Sequence, residues 1–337
     1  MTTISQDDVI RCKVALRTPF TVVELPFLSR LHMAAFRHRR RLSKRFVGKP
    51  AKKLFRFLLS SGASGQGRVR LTGGAEIAFN ARNTQFGALY LPQNQPVYEA
   101  ETSALLERLA APDAVFYDIG ANWGWYSVLL ATRPGFSGQV HAFEPFPPTF
   151  QDLRAVVGQA GLDGVIHCHD VALADREGVA DMAPSDGVQS GLARLGEGGG
   201  MQVRLTRLDA MGLPDPDTIK VDAEDHELEV LQGAADTIAR ARPFIVFENW
   251  LHRDDPDLTL APIRFLAERG YRFFFPGWAD AKAVDCILAG HAAPQGPEPI
   301  LALVPFLADQ RFLLPSQLNI VAVPAERIDV FKSRFHD

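Results

Sequence analysis

Three parts of the 337-residue chain carry residue types that do chemistry when a fold brings them together. The first is Asp118-Ile119-Gly120-Ala121-Asn122-Trp123-Gly124, where the apolar run Val115–Ile119 passes into a helical pattern. Its two glycines would let a ligand approach the backbone closely, and a helix start offers unpaired N–H groups. The second is His141-Ala142-Phe143-Glu144-Pro145, a carboxylate closing another apolar run. A carboxylate there can accept both hydroxyls of a ribose. The third is acid-rich: Asp222-Ala223-Glu224-Asp225-His226, and Glu248-Asn249, each after a further apolar run. Alternation along an extended chain would put Asp222 and Glu224 on one face.

Proton removal from a hydroxyl is the chemistry these last segments suit. Asp222, Glu224 and His226 are the candidate catalytic residues, with Asp222 or His226 as general base and no metal. The alternative gathers Asp222, Glu248 and Asn249 around a hard divalent cation such as Mg²⁺. His226 and His252 also have the plainer reading of surface histidines. Lys220 is expected to bury its stem and pair its amine with a carboxylate. Asp225, at a helix start, is expected to cap that helix.

The ligand class follows from what the first segment lacks. A phosphate loop needs Gly-Lys-Ser/Thr, which is absent. The dinucleotide pattern G-x-G-x-x-G fails too: counting from Gly120, Asn122 and Trp125 stand where the second and third glycines belong. S-adenosylmethionine (SAM) has no pyrophosphate and needs partners for its ribose and its amino-acid end. The expected cofactor set is Asp118, Gly120, Asn122, Gly124, Glu144, Asp170 and Ala172. Asp170 is the candidate for the adenine amino group, and Tyr98-Glu99-Ala100-Glu101 for the ammonium. One of Trp123 and Trp125 should pack on the sheet and the other wall the ligand. Glu144 alone suits NAD as well as SAM, so an NAD(P)-dependent oxidoreductase stays open as the alternative, beside a non-catalytic module that binds a membrane or a partner.

The elements that would hold these residues alternate. Strands are expected at 115–119, 139–143, 165–172, 218–221, 244–247, 271–275 and 318–323, and helices at 97–109, 122–133, 149–158, 227–240 and 263–269. Such alternation builds a doubly wound, mostly parallel sheet covered on both faces. Ligands then bind beyond the carboxyl ends of the strands. No internal repeat interrupts the pattern. The stretch 276–315, rich in Pro, Gly and Ala, reads as an insertion over the site, where with the loop at 186–190 it would shape the acceptor pocket.

Taken in order, these motifs resemble the FkbM-type methyltransferases, a branch of the class I SAM-dependent fold. The resemblance rests on Tyr117–Ser127, Ala142–Pro145, Ile219–Glu224 with Glu227–Ala234, and Arg242–Glu248, and covers about residues 97–248. It implies a Rossmann-like, seven-stranded sheet with the last strand antiparallel. It also implies SAM as the donor, and O-methylation of a hydroxyl on a sugar, glycolipid or natural product. One departure stands out: the family's K-x-D-x-E-G motif ends here in Asp225 in place of glycine.

The remaining bounds are broad. With 47% hydrophobic and 22% charged residues, the chain can bury an ordinary globular core. A net charge of -3 gives it no general attraction to nucleic acid. The three cysteines are scattered, and the start lacks a signal peptide pattern, so a cytoplasmic setting is expected. The expected division is a basic, helical arm over 1–66, a lead-in over 67–111, a methyltransferase domain over 112–325 and a tail over 326–337. Residues 30–56 carry Arg and Lys with interleaved apolar residues and no acid. That composition suits a solvated arm or peripheral contact with an anionic inner membrane face and a lipid-linked, glycan or small-molecule acceptor.

Overall fold

The computed structural model describes residues 9–33, 57–58, 65–184, 193–196, 200–280, 283–289, 294, 296 and 298–336. Seven strands make its centre: β1 (Val115–Ile119), β2 (Gln139–Phe143), β3 (Ile166–His169), β4 (Thr218–Val221), β5 (Phe244–Trp250), β6 (Tyr271–Asp280) and β7 (Gln317–Pro324). They pair in the order β3-β2-β1-β4-β5-β7-β6. β1 to β5 run parallel, and β7 is antiparallel to both neighbours. The order reverses at β1, which puts β2 on one side of it and β4 on the other. This is a doubly wound sheet with its last strand antiparallel, as the resemblance implied, and its crevice lies at that reversal.

Both faces of the sheet are covered, which is why these strands read as unbroken apolar runs. On one face, Phe116, Val140 and Val246 pack with Leu105 and Leu106 of α1 (Ala100–Leu109), Val128 and Leu129 of α2 (Trp125–Ala131), and Leu153 and Val156 of α3 (Pro147–Ala160). On the other, Ile119, Ile219, Ile245 and Phe247 pack with Val230 and Leu231 of α4 (Glu227–Gly233), Ile238 of α5 (Ala235–Ala241) and Ile263 and Leu266 of α6 (Pro256–Ala267).

The sheet is wider than expected. Ile300–Phe306 pairs with β6, Ile10–Lys13 pairs with that strand, and Ala283–Ala289 pairs with the far half of β6, giving ten strands. The described part of 276–315 is therefore a sheet edge with Trp278, Leu301 and Leu303 buried in it, not an insertion over the site. The boundary at residue 66 also falls inside an element. Phe20–Glu24, Gln66–Leu71 and Glu76–Asn80 form a three-stranded sheet, and residues 27–33 are helical. Of the basic stretch 30–56, residues 34–56 lie outside the described residues, as does the loop at 186–190.

Two local expectations fail for identifiable reasons. The helix expected over 227–240 breaks into α4 and α5 at Ala234, beside Gly233, where an added Cβ would sit 1.9 Å from the Ala174 carbonyl oxygen. The third strand stops at His169. Ala172–Leu173 leaves the main sheet and pairs with Met201–Thr206 in a separate four-stranded sheet.

Candidate functional site

A cavity of about 410 Å³ opens at the carboxyl ends of β1, β2, β4 and β5. Ligand sites typically enclose about 300–1,000 Å³. Its first wall is the turn after β1. That turn is not helical, because Asn122 (φ 53°) and Gly124 (φ 96°) are left-handed, and α2 begins only at Trp125. Asn122 accepts a hydrogen bond on Oδ1 from Trp123 N (2.8 Å) and donates its own N–H to Glu144 Oε2 (2.9 Å).

The glycines serve packing more than ligand approach. A Cβ on Gly120 (φ 76°) would lie 1.8 Å from the Asp222 carbonyl oxygen, and one on Gly124 would lie 2.7 Å from Leu153 Cδ1. Gly120 borders the cavity and Gly124 does not. Asp118 is likewise behind the wall, 1% exposed. Its Oδ2 accepts from Ser127 N (3.0 Å) and Ser127 Oγ (2.6 Å), so it fastens the first turn of α2 and does not border the cavity. Burial pushes its carboxyl up to about 6, against the pull of the Ser127 hydrogen bonds.

Glu144 forms the second wall. Besides Asn122, it accepts from Phe146 N on Oε1 (2.9 Å). A carboxylate has about four lone-pair sites, so two remain for ribose hydroxyls. Burial raises its pKa to about 7, with the two backbone N–H groups opposing. Beside it Phe143, Pro145, Val171, Ala172, Leu173 and Met182 make an apolar slot suited to an adenine ring. Asp170 is exposed and outside that slot.

The third wall is acidic. Asp222, Glu224, His226 and Glu248 all border the cavity, together with Glu99. Strand alternation is not what unites Asp222 and Glu224. β4 ends at Val221, and Glu224 (φ 51°) and Asp225 (φ 77°) turn left-handed. Beneath them Lys220, 1% exposed, places Nζ 3.2 Å from Asp222 Oδ2, the pairing expected of it. Burial lowers the Lys220 pKa, but the charges of Asp222, Glu99, Glu248 and Asp118 outweigh it, and the ammonium keeps its proton above the usual range. Glu248 accepts from Trp250 Nε1 (3.0 Å) and from Gln317 Nε2. Burial and the neighbouring Asp222 charge push its carboxyl well up. Glu99 accepts from Tyr126 Oη (2.5 Å) and Asn319 Nδ2 (3.3 Å). His226 Nδ1 lies 3.7 Å from Glu229 Oε1, which raises the imidazole pKa.

Asn249 points elsewhere. It is 4% exposed and outside the cavity. Its Nδ2 donates to the Thr259 carbonyl (2.9 Å) and its Oδ1 accepts from Arg311 Nε (2.6 Å). The oxygen set Asp222, Glu248 and Asn249 therefore does not converge. Among the described residues no group of three or more His, Cys, Asp or Glu side chains could hold a metal ion. Asp225 Oδ1 pairs with His252 Nε2 (2.9 Å), and the neighbouring Ala223 N–H goes to Glu227 Oε1 (3.0 Å).

Other lining residues depart from the sequence reading or escaped it. Both Trp123 and Trp125 border the cavity and pack against Phe20 from the N-terminal segment (ring centroids 5.6 and 5.9 Å apart), so neither is a simple sheet residue. Gln85, Met182, Trp250 and Gln317 also line it. Trp250 and Gln317 are register partners across β5 and β7. Their roles depend on that pairing, which no local motif reveals.

Comparison with known proteins adds the following. Residues 118–273 match the methyltransferase FkbM domain. Hexuronic acid methyltransferase AglP of Haloferax volcanii is 29% identical, over 48% of this chain and 66% of that protein. AMB antimetabolite synthetase AmbE of Pseudomonas aeruginosa is 28% identical, over 40% of this chain and 8% of that protein. The chain thus spans less than two thirds of either relative. The crystal structure of methyltransferase FkbM from Methylobacillus flagellatus superimposes with a TM-score of 0.37 at 19% identity, covering 57% of this chain and 44% of that one.

Proposed function

We propose, from the match of residues 118–273 to the methyltransferase FkbM domain, that this chain transfers the methyl group of SAM to a hydroxyl of a sugar, glycolipid or natural product. One observation carries the reading. A single cavity joins Glu144, with the apolar slot beside it, to the acidic ends of β4 and β5. Glu144 would hold the ribose, Val171 to Leu173 and Met182 would border the adenine, and Glu99 would face the ammonium.

SAM, when bound, supplies an electrophilic methyl on a sulfonium. The chain's own residues then have two tasks. The first is orientation of the acceptor hydroxyl, from which much of the rate of a displacement comes. The second is removal of its proton. Asp222 is the base that geometry favours. Its Oδ2 is paired with Lys220, and among the described residues its Oδ1 accepts no hydrogen bond. His226 is the weaker candidate, because its Nδ1 faces Glu229 Oε1, which raises the imidazole pKa. Glu248, whose carboxyl is pushed well up by burial and the Asp222 charge, borders the same cavity and would contact the acceptor. The relative AglP acts on a hexuronic acid by its name, which supports a sugar as the acceptor here.

Two measurements test this reading. Calorimetry with SAM and with NADH should give binding of SAM alone. Incubation of the protein and SAM with the native extract, followed by mass spectrometry, should give products heavier by one methyl at a hydroxyl. Binding of NADH, or methylated products that carry the group only on nitrogen or carbon, would overturn it.

A further inference from the structure

The turn joining β4 to α4 contains two consecutive left-handed residues, Glu224 (φ 51°) and Asp225 (φ 77°). Neither is glycine, and an L side chain in this region crowds its own backbone. Such a conformation persists where the surroundings over-determine it.

Asp225 shows one source of that constraint. Its Oδ1 accepts a hydrogen bond from His252 Nε2 at 2.9 Å. His252 lies in the loop after β5, and that loop is itself anchored. Its backbone N–H donates to Thr259 Oγ1 (2.7 Å), Thr259 Oγ1 donates to the Trp250 carbonyl (3.2 Å), and Thr259 is fully buried in α6. The neighbouring Leu251 N–H donates to the Ser316 carbonyl (2.8 Å). At its near end the turn is fixed by the Asp222 N–H on the Ile119 carbonyl (2.9 Å). Asp225 itself does not border the cavity, while Asp222, Glu224 and His226 on either side of it do.

We propose that Asp225 is a positioning residue: its carboxylate, tied to His252, holds the left-handed turn that presents Asp222, Glu224 and His226 to the acceptor. The imidazole donates from Nε2 whether it is neutral in that tautomer or protonated. The tie spans the ends of β4 and β5, so it fixes the acidic wall relative to the strand that carries Glu248. This account rests on the methyl-transfer reading only for its kinetic consequence.

The substitutions separate the tie from the backbone. Glycine adopts φ 77° freely, so Asp225→Gly keeps the chain path and removes the tie. Asparagine visits the left-handed region and offers His252 a carbonyl oxygen, so Asp225→Asn keeps both. Amide hydrogen exchange of the full chain, read on peptides covering 222–231, needs no acceptor. Asp225→Gly and His252→Ala should each speed exchange there by about tenfold or more, with the global denaturation midpoint near that of the parent. Asp225→Asn should exchange as the parent does, and the Asp225→Gly/His252→Ala double variant no faster than either single one. With an acceptor in hand, Asp225→Gly should lower kcat by about tenfold while SAM affinity stays within about threefold. Parent-like exchange in both single variants, or additive effects in the double variant, overturns the tie. Faster local exchange with unchanged kcat overturns the positioning role and leaves the methyl-transfer reading standing. Loss of SAM binding in the parent protein overturns that reading and leaves the exchange result standing.

Discussion

Gly120→Ala is the substitution whose effect the structure fixes most tightly. The added Cβ would lie 1.8 Å from the Asp222 carbonyl oxygen, where an unbonded C···O contact needs about 3.3 Å. The obstacle is backbone, so the β1 turn and the end of β4 must separate by about 1.5 Å. The left-handed φ of 76° adds about 1–2 kcal/mol for any L residue. A matched control isolates that second cost. Gly161, at the end of α3, has φ 66° and nothing within 4 Å of its Cβ position. Gly161→Ala should therefore cost about 1–2 kcal/mol of stability and leave SAM binding alone. Gly120→Ala should cost about 3–5 kcal/mol, the range in which clash and strain combine. It should also cut methyl transfer by about 100-fold or more, because the cofactor wall and Asp222 move apart. Urea denaturation and SAM calorimetry on the two variants read these quantities side by side. If Gly120→Ala matches Gly161→Ala in both, the close packing of the β1 turn on the β4 end is not what positions the site.

Three further outcomes follow from the same geometry. Asp222→Asn should lower kcat by about 100-fold or more, the scale of a lost general base, while His226→Gln costs less than about tenfold; the reverse order in steady-state assays would move the base to His226. Asp118→Ala strands the buried Ser127 N–H and hydroxyl and should cost about 2–4 kcal/mol, whereas Asp118→Asn should bind SAM within about threefold of the parent, a result incompatible with direct ligation by Asp118. His141 is held neutral, its pKa lowered to about 4 by burial and by His169 and His167. The unfolded chain takes up that proton first as pH falls from 6.5, so stability is full above 6.5 and lost towards 4. After discounting for solvent screening the loss is about 2 kcal/mol. Denaturation midpoints across that range should show it, and His141→Gln should remove most of it.

How much of this was legible in the sequence depended on the range of the interactions. The parallel strands β1, β2, β4 and β5 stood out because strands buried on both faces are continuous apolar runs. Glu144, Asp222 and Glu248 could be placed because each directly follows such a run, and strand ends are where the crevice lies. The glycines mark the turn, but through packing more than through ligand approach. Gly120 meets the Asp222 backbone, a contact between residues far apart in sequence. Asp118 and Asn249 show the same dependence: each sits at a strand end, yet Ser127 and Arg311, supplied by other elements, turn them away from the cavity. Asp170 falls in the strand expected over 165–172, but the chain leaves the sheet after His169 to pair elsewhere. The segment 276–315 carries Pro276 and Pro305 within strands that pair near the sheet edge, and propensity alone reads such residues as loop.

The central claim is that SAM lies between Glu144 and the acidic ends of β4 and β5, and titration calorimetry of SAM into the parent protein and Glu144→Ala tests it most directly. One site should fill at sub-millimolar SAM in the parent, and removing the ribose-facing carboxylate should weaken it by about tenfold or more. No heat of binding in the parent at that concentration, or equal affinity in the two proteins, would contradict it.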